Sequence, residues 1–186
     1  TKIVTGHIPD SGYIVGTVRN NHTVPLKEVR VTLHIFGAGD NNRKGTAVCQ
    51  YVPPGRTCPF SVPYDGLKAQ DILKVEAIVQ TTPAKPGTVC WMLDDHRIVS
   101  RAPQCIVRGR TRNRTKWVLM DVTIVCDFFT EDGLYAGSAR GRLAEGNTLM
   151  PSQAEDYEVR FDEADSVLPL LLVAKAHPRL VAWRSD

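Results

Sequence analysis

Apolar and polar residues alternate along this 186-residue chain with a period of two. In Glu28-Val29-Arg30-Val31-Thr32-Leu33-His34-Ile35-Phe36, the residues Val29, Val31, Leu33 and Ile35 share one face. Val122, Ile124, Cys126 and Phe128 hold the same places in a second stretch. Successive side chains of an extended chain point to opposite sides, so this alternation predicts half-buried strands. Further strands are predicted at Tyr13 to Arg19, Thr46 to Tyr51, Cys58 to Pro63 and Ile72 to Thr81. The second half offers Ile106 to Arg112, Ala136 to Leu143, Asp156 to Phe161 and Leu168 to His177. Between them stand turn formers such as Pro53-Pro54-Gly55 and Glu131-Asp132-Gly133. No window has a persuasive helical period; Tyr64 to Leu73 and Gln153 to Tyr157 have room for one short turn each.

The pattern is written twice. A shift of 93 positions aligns Gly16 with Gly109, Arg19 with Arg112, Asn20 with Asn113, Leu26 with Leu119 and Val29 with Val122. Internal repetition with many short strands predicts an all-β chain of two tandem antiparallel sandwiches. The expected division is a first sandwich over residues 1–82, a linker over 83–103 and a second sandwich over 104–186. That linker holds Pro83, Pro86, Gly87 and Pro103, and its Trp91, Met92 and Leu93 are expected to pack between the two units.

Three elements in each copy carry a family resemblance. The first is Gly-x-x-x-Asn at a strand end, Gly16 to Asn20 and Gly109 to Asn113. The second is the alternating strand ending in an aromatic, Val29 to Phe36 and Val122 to Phe129. The third is a turn before an aromatic strand, Pro54-Gly55 then Phe60, and Pro151-Ser152 then Tyr157. In these the repeat resembles the FxLYD-type domain of bacterial envelope and secreted proteins. The resemblance implies an immunoglobulin-like sandwich in each half. It also implies a non-enzymatic accessory, spacer or binding module, without cofactor, in an exported or envelope-associated protein. Its partner would be another protein or another domain of a longer chain. Two departures stand out: Ser152 replaces a glycine, and His34-Ile35-Phe36-Gly37 replaces the usual Tyr-Asp.

Charge adds one feature. Net charge is only +3, too small to point to nucleic acid. Yet Arg108, Arg110, Arg112, Arg114 and Lys116 occupy every second position, and the alignment turns them all outward. Such a row is either a solvated, edge-protecting face or a polyanion site. Nucleic-acid platforms add exposed aromatics for stacking, and here Trp117 is the one neighbour, so nucleic acid is disfavoured. The acidic run Glu155-Asp156, Glu158, Asp162-Glu163 and Asp165 is expected to solvate an outer strand and its turn.

Other chemistry is sparse. Five cysteines leave one over after pairing. Cys49 and Cys58 flank a turn and are candidates for a bridge; Cys90 with Cys105 is a second candidate. Bridges would place the chain in an oxidising compartment, and five thiols would place it in a reducing one. Asp94-Asp95-His96 is the tightest group of potential metal ligands, but three neighbours in one loop cannot surround a cation, so no metal is expected. Asn21-His22-Thr23 and Asn113-Arg114-Thr115 fit the glycosylation acceptor pattern. No apolar run approaches the roughly 18 residues of a membrane-spanning helix.

Overall fold

Thirteen strands and no α-helix make up the described residues of the computed structural model, which are 2–5, 11–162, 166 and 170–185. The strands are β1 (Lys2–Thr5), β2 (Ser11–Arg19), β3 (Leu26–Gly37), β4 (Asn42–Val52), β5 (Thr57–Asp65) and β6 (Ile72–Pro83), followed by β7 (Thr88–Met92) and β8 (His96–Ser100). They continue with β9 (Gln104–Arg112), β10 (Leu119–Thr130), β11 (Tyr135–Leu143), β12 (Ala154–Asp162) and β13 (Val173–Arg184). The chain divides into two units between Pro83 and Ala84.

In the first unit β1, β2 and β5 form one sheet, and β4, β3 and β6 form another. Ile14, Val31, Leu33, Ile35, Phe60 and Val62 are buried together, as the two-residue period demands. In the second unit all the strands join one curled sheet in the order β7-β13-β10-β11-β12-β9-β8. Its concave face encloses Val107, Val122, Ile124, Phe128, Val159 and Phe161. The rings of Phe128 and Phe161 stack with centroids 4.3 Å apart. Val122, Ile124 and Phe128 are 3%, 0% and 0% exposed, so the alternation assigned the faces correctly.

Both units use an asparagine to tie a turn to a distant strand. Asn20 Nδ2 donates to the carbonyls of Val24 and Val52, each at 2.9 Å, and its Oδ1 accepts from His22 N at 2.9 Å. Asn113 Nδ2 donates to Trp117 O at 2.8 Å and Leu149 O at 2.9 Å, and its Oδ1 accepts from Thr115 N at 2.9 Å. The glycines four residues earlier are required by close approach. A Cβ on Gly109 would lie 2.2 Å from the Asp95 carbonyl oxygen and 2.5 Å from the Tyr157 hydroxyl. Gly55 and Ser152 take the same left-handed turn conformation, φ 69° and 65°, which suits glycine better than serine.

Four expectations are corrected. The segment expected to be a linker is instead largely sheet. β7 pairs with β13 through Trp91 and Leu180, and β8 pairs with β9 through His96 and Gly109. Its prolines flank these strands, so they punctuate the segment without excluding it from the sheet. Trp91 and Leu93 pack into the second unit's own core, while Met92 is 53% exposed. The last strand begins at Val173, after a 3-10 turn over Leu170–Leu172, and runs past Pro178 to Arg184. Pro178 lies opposite Cys126 within it, and that proline had hidden the strand's second half. Gln153 to Tyr157 is not a helical turn; β12 starts at Ala154.

No disulfide forms, and all five cysteines stay thiols. Cys49 and Cys58 lie in different sheets, and both Sγ atoms donate to the Pro59 carbonyl, at 3.7 and 3.5 Å. Cys105 faces the second core, whereas Cys90 lies beside the Asp127–Arg179 pair on the opposite face. Side chains on opposite faces cannot meet the bridge geometry.

A candidate anion-binding row of arginines

The curled sheet of the second unit carries an open trough of about 880 Å³ across β11, β12, β9 and β8. Its cationic lining is Arg97, Arg108, Arg110, Arg140, Arg142 and Arg160, and its carboxylates are Asp95, Asp156 and Glu158. Each of these arginines is at an outward position of an alternating strand, so the pleat that fills the core also aims them into solvent. Arg140 and Arg142 flank Gly141, where a Cβ would lie 2.2 Å from the Glu158 carbonyl oxygen. That glycine lets β11 approach β12 and join the halves of the sheet.

Register sets the arrangement. Arg142 stands opposite Glu158, Glu158 opposite Arg108, and Arg108 opposite Arg97. Strands lie about 4.8 Å apart, so this row crosses about 14 Å of the surface. Glu158 holds Arg108 Nε and Arg160 Nε, both at 2.6 Å. Those two bonds keep its carboxyl below the usual carboxylate range, Arg160 contributing most. Arg110 faces Asp156 more loosely, at 3.7 Å. Arg97 and Arg142 join no ion pair among the described residues, and Arg97 lies directly across from a like charge. Like charges at opposed positions of a ladder are destabilising.

The structure splits the basic stripe of the sequence. Arg108 and Arg110 belong to the trough. Arg112 donates to the Ser152 carbonyl at 3.1 Å, and Arg114 is exposed beyond the strand end. Lys116 lies over the Trp117 ring at 5.4 Å, with Arg184 at 4.8 Å from the same ring. Sequence reasoning missed Arg97, Arg140, Arg142 and Arg160, which come from three other strands. The signal was present as Arg-x-Arg in Ala139-Arg140-Gly141-Arg142 and as the alternation Asp156, Glu158, Arg160. The acidic run also proves to be the cross-strand partner of the arginines, through Asp156 and Glu158, while Glu155 is buried rather than solvated and Glu163 and Asp165 lie outside the described residues.

The remaining candidates do not assemble into a reactive centre. Asp95 lends its backbone carbonyl to Arg110 N at 3.2 Å and to the Tyr157 hydroxyl at 3.5 Å. His96 Nδ1 is bonded to the Leu93 carbonyl at 3.1 Å. Among the described residues no three His, Cys, Asp or Glu side chains gather as a metal site. Burial pushes the Cys90 thiol up to about 11 and the Cys126 thiol well above its ordinary value. Asn113 is 0% exposed and its amide nitrogen makes two hydrogen bonds, so in the folded chain it is closed to a glycan. No helix among the described residues is long and apolar enough to cross a membrane.

No protein-family model and no curated protein matches this chain. Among solved structures, a transglutaminase of red sea bream is similar at 9% identity, with a TM-score of 0.26. The match takes in 87% of this chain and spans 26% of that one. A likeness of that size carries no argument about this chain's fold family or chemistry.

Proposed function

We propose that this chain is a non-catalytic binding module of an exported or envelope-associated protein, and that its ligand face is the trough row Arg142-Glu158-Arg108-Arg97. The ligand class is a polyanion, a chain or surface bearing repeated carboxylate, sulfate or phosphate groups. One observation carries the reading: Arg97 and Arg108 are neighbours across a ladder, and among the described residues Glu158 is ion-paired to Arg108 while Arg97 joins no ion pair. An arriving anion relieves that repulsion and gains forked guanidinium contacts. Non-catalytic chemistry fits the buried thiols and the His96 ring engaged by a backbone carbonyl.

The tandem immunoglobulin-like, FxLYD-type reading belongs to the same proposal. Its support is a shared pairing scheme: β2 with β5, and β3 with both β4 and β6. In the second unit β9 pairs with β12, and β10 with both β11 and β13.

Retention on immobilised heparin tests the site. The double variant Arg97→Ser/Arg142→Ser should elute at clearly lower salt than the parent, while Arg112→Ser/Arg114→Ser should elute close to it. Equal retention of the parent and the Arg97/Arg142 variant overturns the trough as the anion site. Failure of the parent to be retained at all overturns the polyanion class.

A further inference from the structure

Where the curled sheet of the second unit comes round, β8 passes alongside the first half of β13 without pairing with it. The seam is tied at one end by Leu93 N, which donates to Pro178 O at 2.9 Å, and at the other by Arg101 Nε, which donates to Val173 O at 2.8 Å. Between these ties opens a cavity of about 470 Å³ lined by His96, Arg97, Arg101, Lys175 and His177, with Ile98 and two alanines. Three fixed cations and two imidazoles meet there. Among the described residues no carboxylate lines the cavity, whereas the trough has three. Asp127, opposite His177 on β10, is committed to its buried pair with Arg179, and Asp95, next to His96 in the chain, lines the trough instead. Donors remain unused. Arg101 spends only Nε on Val173, so its two terminal nitrogens have no partner among the described residues. Lys175 Nζ gives one of its three protons to Glu131 O at 2.7 Å. His96 Nδ1 is bonded to the Leu93 carbonyl, so Nε2 becomes a donor when the ring is charged. The fold does not demand this charge. In the first unit Lys74 and Glu76 stand opposite Phe36 and His34, as Lys175 and His177 stand opposite Phe129 and Asp127. Lys74 and Glu76 neutralise each other as an ion pair at 2.5 Å. The second unit has a histidine at the place of that glutamate.

We infer that this seam is a binding site for a single oxyanion group of the phosphate or sulfate class, held by Arg97, Arg101 and Lys175 and held more tightly once His96 and His177 are protonated. The inference goes beyond the trough reading and stands without it, although Arg97 borders both. A tetrahedral dianion presents several acceptor oxygens, which suits donors arriving from two strands and a connecting loop. His177 packs on the Phe129 ring, with centroids 4.8 Å apart. Partial burial first, and then the charges of His96, Lys175 and Arg179, hold its pKa below the ordinary histidine value, with Asp127 opposing them. A bound dianion favours the charged ring, so binding and protonation promote each other. By linkage the affinity rises as pH falls through the histidine range and levels off once both rings are charged.

Inorganic sulfate is the probe, because its charge is constant through the histidine range. It is titrated into the whole chain at fixed ionic strength, and the ring protons of His96 and His177 are followed by NMR. Saturable shifts are expected, with binding about tenfold tighter at about pH 5.5 than at about pH 8. Lys175→Ser should weaken binding about tenfold, and His177→Gln should shrink the pH dependence while the His96 ring still reports. Lys74→Ser, the matched exposed position of the first unit, and Arg142→Ser in the trough should bind sulfate as the parent does. The inference is overturned if neither ring shifts saturably, or if Lys175→Ser binds as the parent does. It is also overturned if Arg142→Ser removes the binding, since the ion then sits in the trough. Heparin retention identifies the source of the group once the seam has passed these tests. Elution of Lys175→Ser together with Lys74→Ser supports a free ion in the seam, and earlier elution supports a group carried on the polyanion chain. A parent that heparin does not retain overturns the trough reading and leaves the sulfate result standing.

Discussion

Replacing Asn113 with alanine tests whether a single amide fastens the second unit. Four hydrogen bonds are lost: those donated to Trp117 O and Leu149 O, and those accepted from Thr115 N and from Thr115 Oγ1 at 2.7 Å. At about 1 kcal/mol each the total loss would be about 4 kcal/mol. Two carbonyls keep other partners, Leu149 O through Leu119 N at 2.9 Å and Trp117 O through the Thr115 hydroxyl at 3.2 Å, so no buried acceptor is left bare. The expected cost is therefore about 3 kcal/mol, and in a unit of this size each kcal/mol lowers the melting temperature by about 4–8 °C. Urea denaturation with intrinsic fluorescence reads the second unit through Trp91, Trp117 and Trp183. Asn20→Ala removes three such bonds in the first unit and should cost about 2 kcal/mol while leaving the tryptophan transition unmoved. Asn113→Asp keeps both accepted bonds but sets carboxylate oxygens against two carbonyls, so it should cost at least as much as alanine. A loss below about 1 kcal/mol for Asn113→Ala, or a fully stable Asn113→Asp, refutes this account of the turn.

The Arg179–Asp127 pair, 8% and 6% exposed, predicts that Arg179→Met costs about 3–5 kcal/mol by stranding a buried carboxylate. Arg179→Met/Asp127→Leu should recover most of it, and denaturation of both variants decides. Thiol titration at pH 8 should find Cys126 unreactive in the native chain, because burial holds its pKa well above 9; all five thiols should react in denaturant, and prompt native labelling of Cys126 would contradict its burial. Ser152→Gly, at φ 65°, should stabilise the second unit by about 0.5–1 kcal/mol by removing left-handed strain, and an unchanged melting temperature would count against strain there.

The alternation made the core faces legible because the side-chain period of a strand is fixed by backbone geometry alone. Val29, Val31 and Leu33, like Val122, Ile124 and Phe128, could be assigned inward without knowing which strand each would meet. The Gly-x-x-x-Asn element was legible as a repeated motif, though its work, a close approach at Gly109 and a turn tied by Asn113, was not. What misled the reading was composition. Four punctuating residues between Pro83 and Pro103 suggested a linker, yet five-residue strands fit between them. For Cys90 and Cys105 the spacing suggested a bridge because proximity along a chain says nothing about which face of a sheet a side chain takes.

By itself the sequence determined that this chain is built of strands, which residues fill their inner faces, and that Arg108 and Arg110 point outward. Only the tertiary structure decided which strands became neighbours, because register and strand order are set by contacts between residues far apart in sequence. That choice aligned Arg142, Glu158, Arg108 and Arg97 in one row, turned Asp156 and Glu158 of the acidic run into its counter-charge, and laid Trp91 over the edge of β13.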